Sequence, residues 1–113
     1  MVLIQLMRLS NICCQKIYLL GFNVLKILED LVALARERKK NPVEGSYTNK
    51  LLENKSLAKE KVLEEINELV EAVEQDTNKT HEAADVLYHY IMYLEKSEIK
   101  IEDVMKELNN RKK

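Results

Sequence analysis

Only two glycines, Gly21 and Gly45, and one proline, Pro42, occur in 113 residues, and this scarcity limits the available folds more than any other feature. A Gly-rich phosphate loop or a dinucleotide fingerprint cannot be written with them. Nor can the repeated tight turns of a β-sandwich or barrel. A third of the residues are charged, and Leu, Lys, Glu, Ile and Val dominate. The expected class is all-α, and the length fits one small domain with a modest core.

Lys and Arg number 18 against 19 Asp and Glu. Such balance gives no reason to expect a nucleic-acid partner, which usually leaves a basic excess. The only cysteines, Cys13 and Cys14, are adjacent. They make neither a disulfide framework nor the paired spacing of a structural zinc site, and a reducing, cytoplasmic setting is expected. Residues 1–23 carry two basic residues and no acid. Gln5, Arg8, Gln15 and Lys16 interrupt every apolar run there, so no membrane span is expected, and no small-residue cleavage site follows. The segment reads as an N-terminal extension, either an extra helix or sequence upstream of the start, with the second favoured and no site expected in it. The domain proper is expected over residues 24–113.

Apolar positions Leu25, Leu28, Leu31, Val32 and Ala35 recur at helical spacing, predicting a first helix from Val24 to Lys40 that Asn41-Pro42 stops. A polar loop follows, then a short helical turn around Leu51. Ser56 is the expected N-cap of a long helix to about Glu74. Asp76-Thr77-Asn78 makes the next break, before helices expected over Thr80–Lys96 and Ile101–Arg111. In the long helix Val62, Ile66, Leu69 and Val73 form the expected core stripe, widened by Leu63 and Val70. Glu65 lies beside it, Glu68 follows one turn later, and Glu64 and Glu71 point more nearly backwards.

Glutamates on a charged helix are usually solvated surface. The next helix changes the balance. Between Glu82 and Tyr93 its only polar residues are Glu82, Asp85 and His89, in one line at i, i+3 and i+7. The rest is apolar or aromatic nearly all round, which marks a helix buried in its domain or assembly. Buried carboxylates are costly without a compensating cation. Glu64–Glu65-x-x-Glu68 and Glu82-x-x-Asp85 on facing helices can converge, and oxygen donors alone suit Mg²⁺ or Mn²⁺. Magnesium usually completes its shell with phosphate oxygens, so a helical bundle acting on a polyphosphate is expected.

The Glu-Glu-x-x-Glu and Glu-x-x-Asp arrangement resembles the MazG-like all-α nucleoside-triphosphate pyrophosphatases. Three further stretches are similar to the phosphoribosyl-ATP pyrophosphatase family: Arg38–Thr48, reading RKKNPVEGSYT; Lys61–Glu68; and Glu82–His89, reading EAADVLYH, with the Ile101–Leu108 tail. The resemblance covers about Val24 to Arg111, with Leu63 where that family usually has glycine. It implies hydrolysis of phosphoribosyl-ATP at the α–β phosphoanhydride in histidine biosynthesis, giving phosphoribosyl-AMP and pyrophosphate. Glu65, Glu68, Glu82 and Asp85 would then hold the metal, and Glu64 or Glu68 would accept a proton from water. Lys61, Lys50 and Arg38 are candidates for phosphate contacts, and Asn41, Ser46, Tyr47 and Thr48 for substrate binding in the loop. For Ser46 to Thr48, a helix cap with an anchoring aromatic is an equal reading. His89 is placed in substrate binding, although a buried histidine bonded to a neighbouring helix suits its position better. The rival functions are a house-cleaning pyrophosphatase of free (d)NTPs and a non-catalytic helical interaction module. The resemblance also implies a homodimer with substrate bound between subunits. Ninety-odd residues cannot cover both the aromatic helix and the Leu28, Leu31, Val32 stripe, which favours the same conclusion.

Overall fold

The computed structural model describes residues 24–112, so the expectation about residues 1–23 lies outside them. Among the described residues there are five helices and no strand: α1 Lys26–Lys40, α2 Tyr47–Glu53, α3 Lys55–Gln75, α4 Lys79–Lys96 and α5 Ile101–Arg111. The all-α expectation and the bounds of the last helix agree with this. The chain divides into two units, Met1–Asp30 and Leu31–Lys113. In the first, the described residues open α1, where Lys26 pairs with Asp30 at 2.8 Å.

In the second unit, Asn54 and not Ser56 caps α3. Its side chain accepts from the Leu57 N–H at 3.0 Å, satisfying an N–H that the first helical turn leaves free. At the other end Asp76 adopts a left-handed conformation (φ 56°), and the Thr77 N–H returns to the Ala72 carbonyl at 2.9 Å. Asn78 is left-handed as well (φ 40°). Asp and Asn tolerate that region better than most residues. Two such residues in three turn the chain back within a short connection, so α3 and α4 pair as a hairpin. The α2 helix packs against both.

The core joins Val32 and Ala35 of α1, Leu51 and Leu52 of α2, Ala58 of α3, and Ile91 and Met92 of α4. The inward face of α3 keeps Val62 of the expected stripe and leaves Leu69 half-buried, but corrects the rest. It runs through Ala58, Val62, Glu65 and Ala72. Leu63, Ile66, Val70 and Val73 are 53, 42, 51 and 57 % exposed. The apolar arc of α3 is wide enough for two faces roughly 100° apart, and the hairpin takes only the one next to the carboxylates. Nor is α4 covered all round, because Leu87 and Tyr90 remain exposed. No helix among the described residues is long and apolar enough to cross a membrane.

Candidate metal centre and substrate loop

Because α3 turns Glu65 inward, that residue is only 8 % exposed, and its Oε1 is buried without a hydrogen-bond partner. Across the hairpin, Glu82 Oε1 is buried without a partner too. An unpaired buried carboxylate oxygen is among the costlier groups a fold can hold. Two on facing helices could hold a cation. Oxygens of Glu64, Glu65 and Glu68 lie within 4.8 Å of one another, and so do ligand atoms of His81, Glu82 and Asp85. The two triads are linked through Glu68. Its carboxyl is held above the ordinary carboxylate range, first by the charge of Glu65, then by desolvation and by the charge of Glu82. Crowding of like charges is the cause, and a divalent cation would relieve it. The donor set, dominated by carboxylate oxygens, therefore fits a hard cation.

His81 was not anticipated as a site residue. Its Nε2 lies 3.4 Å from Asp85 Oδ2. The signal was present in the i, i+4 spacing, which places both on one helix face. Lys61 lies beside the first triad, 3.4 Å from Glu64 Oε1. The Glu64 hydrogen bond and charge raise its proton affinity, so the ammonium stays charged.

The loop before α2 is built by a second set of contacts. Gly45 is left-handed (φ 83°) with no atom near where a Cβ would sit, so its requirement is torsional. The turn closes through Ser46 N–H donating to the Val43 carbonyl at 3.1 Å. Ser46 caps α2, its Oγ accepting from the Asn49 N–H at 3.2 Å and from Arg38 Nη1 at 2.7 Å. Asn49, a buried residue the sequence did not single out, holds both sides of the loop. Its Oδ1 accepts from the Val43 N–H, and its Nδ2 donates to the Arg38 carbonyl, each at 2.9 Å.

Tyr47 leaves this loop toward the carboxylates, where Lys61, Glu65 and Glu64 all act on its hydroxyl. Its hydroxyl meets His89 Nε2 at 2.9 Å, and Thr48 Oγ1 meets the Tyr88 hydroxyl at 2.6 Å. The fold thus brings Tyr47, Lys61, Glu64, Glu65, Glu68 and Glu82 within electrostatic reach of one another, with Asp85 beside Glu82 and His89 against Tyr47. Arg38 and Ser46 are engaged in the loop's own bonds, and Thr48 is tied to Tyr88 of α4. Asn41 turns away and donates to Glu37 at 2.7 Å. Lys50 is exposed and has no ion pair among the described residues.

Residues 28–112 match the family model described as phosphoribosyl-ATP pyrophosphohydrolase. The phosphoribosyl-ATP pyrophosphatase of Clostridium acetobutylicum is 42 % identical over 90 residues, covering 76 % of this chain and 81 % of the relative. That of Rhizobium johnstonii is 44 % identical over 87 residues, with 74 % and 81 % covered. The histidine biosynthesis bifunctional protein HisIE of Pyrococcus furiosus is 40 % identical over 90 residues, which are 79 % of this chain and 43 % of that longer protein. No solved structure gives a significant match.

Proposed function

Since this chain belongs to the phosphoribosyl-ATP pyrophosphohydrolase family, an enzyme of histidine biosynthesis that hydrolyses phosphoribosyl-ATP, we propose that it does so with Mg²⁺ held between α3 and α4. Mn²⁺ is the alternative ion. The observation that carries this reading is the pair of buried, unpartnered oxygens on Glu65 and Glu82. Family membership sets the non-catalytic module aside.

Glu65, Glu68, Glu82 and Asp85 would hold the metal, which supplies polarisation of the phosphoryl oxygens and charge neutralisation when bound. The protein's own groups do the rest. Lys61 adds a fixed positive charge against the polyphosphate. Glu64, outside the buried pair, and Glu68 are the acceptors for a proton leaving the attacking water. Arg38, Asn41, Ser46, Tyr47, Thr48, Lys50 and His89 form or support the substrate-binding side. Among these, Tyr47 stands nearest the carboxylates, and Lys50 is free to meet phosphate.

The working unit in this reading is a cytoplasmic homodimer. Leu63, Ile66, Val70 and Val73 follow one another at helical spacing along the outer side of α3, and a stripe of that kind on a small domain calls for a partner. A second copy is the simplest partner. Residues 24–113 make the catalytic domain, and residues 1–23 are proposed to be dispensable.

The test is pyrophosphate release from phosphoribosyl-ATP, with and without Mg²⁺, against a panel of NTPs and dNTPs. Metal-dependent turnover preferring phosphoribosyl-ATP is expected. Equal turnover of free NTPs would return the chain to the house-cleaning reading.

A further inference from the structure

His89 is buried, and its Nδ1 lies 2.8 Å from the Asp85 main-chain oxygen. A carbonyl oxygen only accepts, so Nδ1 carries the ring proton in that bond. In the neutral imidazole Nε2 is then the acceptor, and the group opposite it is the Tyr47 hydroxyl at 2.9 Å. Tyr47 must donate there. Its ring is also fixed, stacked on Tyr88 with centroids 6.3 Å apart and meeting the His89 ring edgewise at 5.7 Å. Tyr88 is itself tied to Thr48.

We infer that His89 is a positioning residue which commits the Tyr47 proton inward, so that Tyr47 presents an acceptor-only oxygen and binds a donor on the substrate's sugar or base, not its phosphates. The assignment rests on the functional reading above for the substrate class. Phosphate oxygens are ionised or metal-bound near neutral pH and only accept, so an oxygen without a free proton cannot bond them. The carboxylates of Glu64 and Glu65, which also face Tyr47, cannot use that oxygen either. Its natural partners are Lys61 and a substrate O–H or N–H. Tyr47 is about two-fifths exposed, leaving room for such an approach.

The test compares wild type, Y47F, H89A and H89Q, using phosphoribosyl-ATP as substrate and pyrophosphate and ribose 5-phosphate as inhibitors. Y47F should raise KM about three- to tenfold, the value of one neutral hydrogen bond, with kcat nearly unchanged. Inhibition by pyrophosphate should not weaken in Y47F. H89A should reproduce the KM change, and H89Q, whose amide oxygen can take the Tyr47 proton, should recover most of it. Weaker ribose 5-phosphate inhibition in Y47F assigns the donor to a sugar hydroxyl, and unchanged inhibition assigns it to the base. In wild type, ¹⁵N spectra should report His89 protonated at Nδ1. An Nε2-protonated ring, an unchanged KM in Y47F, or a matching loss of pyrophosphate inhibition would overturn the inference while wild-type turnover stands. Failure of wild type to hydrolyse phosphoribosyl-ATP would instead overturn the functional reading, and this inference with it.

Discussion

Arg36 grips Glu102 with both terminal guanidinium nitrogens, at 2.8 and 2.9 Å, and so ties α5 to α1. The same guanidinium donates through Nε to Glu95 at 3.2 Å. No residue of α5 is fully buried, and this fork adds to the packing of Ile101 against the core in holding the last helix. The Arg36 hydrogen bonds lower the Glu102 carboxyl from 4.5 to about 2. A carboxyl depressed on folding adds stability that is present above its unfolded pKa and lost as pH falls through the folded one. Thermal melts from pH 5 to pH 2 should therefore show an acid-driven loss that is smaller in E102Q. Identical pH slopes for the two proteins would refute it.

Glu95 is the buried member of the network, at 5 % exposure, and it pairs with Lys39 at 3.2 Å as well as with Arg36. Removing it leaves two cations able to reach water, so E95A should cost about 2–3 kcal/mol, less than a fully buried pair loses. The melting temperature should fall by roughly 10 °C or more. E95A and E102Q should be non-additive, because Arg36 serves both.

Metal binding should change the effect of E82Q on stability. Without metal, E82Q relieves the crowding around Glu68 and should melt at or above the wild-type temperature. Saturating Mg²⁺ or Mn²⁺, at about 100 times Kd, should stabilise wild type by about 2.7 kcal/mol, and E82Q far less. A metal shift that survives E82Q would remove Glu82 from the ligands.

Activity should depend on Asp85 without the fold doing so. D85N keeps the size of the side chain and should retain the wild-type circular dichroism, while pyrophosphate release falls by roughly 100-fold or more. Turnover near wild type would sink the assignment.

The exposed stripe of α3 predicts oligomeric state. Wild type should scatter light as a dimer at assay concentration, and I66E/V73E should be monomeric with reduced activity. A wild-type monomer with full activity would refute the dimer.

Much of the fold can be read along the chain because its signals are local. Pro42 stops the first helix through sterics on its neighbour. The period of Ile101, Val104, Met105 and Leu108 sets the last one. The Asp76-Thr77-Asn78 break is visible because Asp and Asn tolerate left-handed backbone. Glu-x-x-Glu and Glu-x-x-Asp declare a shared helix face at any register, so the candidate ligands are legible as well.

The inward side of α3 was not legible, and the reason is physical. Its apolar arc holds two faces, and periodicity fixes only the angles between residues on one helix, while burial has no preferred direction of its own. Packing against α4 selected the face of Ala58, Val62, Glu65 and Ala72, drawing Glu65 into the hairpin and leaving Ile66, Val70 and Val73 outside. The meeting of Tyr47 with His89, 42 residues apart, was equally hidden. The sequence alone determined the helices, their breaks and the carboxylate lines, because each depends on neighbours a few residues away. The tertiary structure decided which carboxylate oxygens lose water, and which way the Tyr47 proton points, because both depend on groups brought together only when the helices pack.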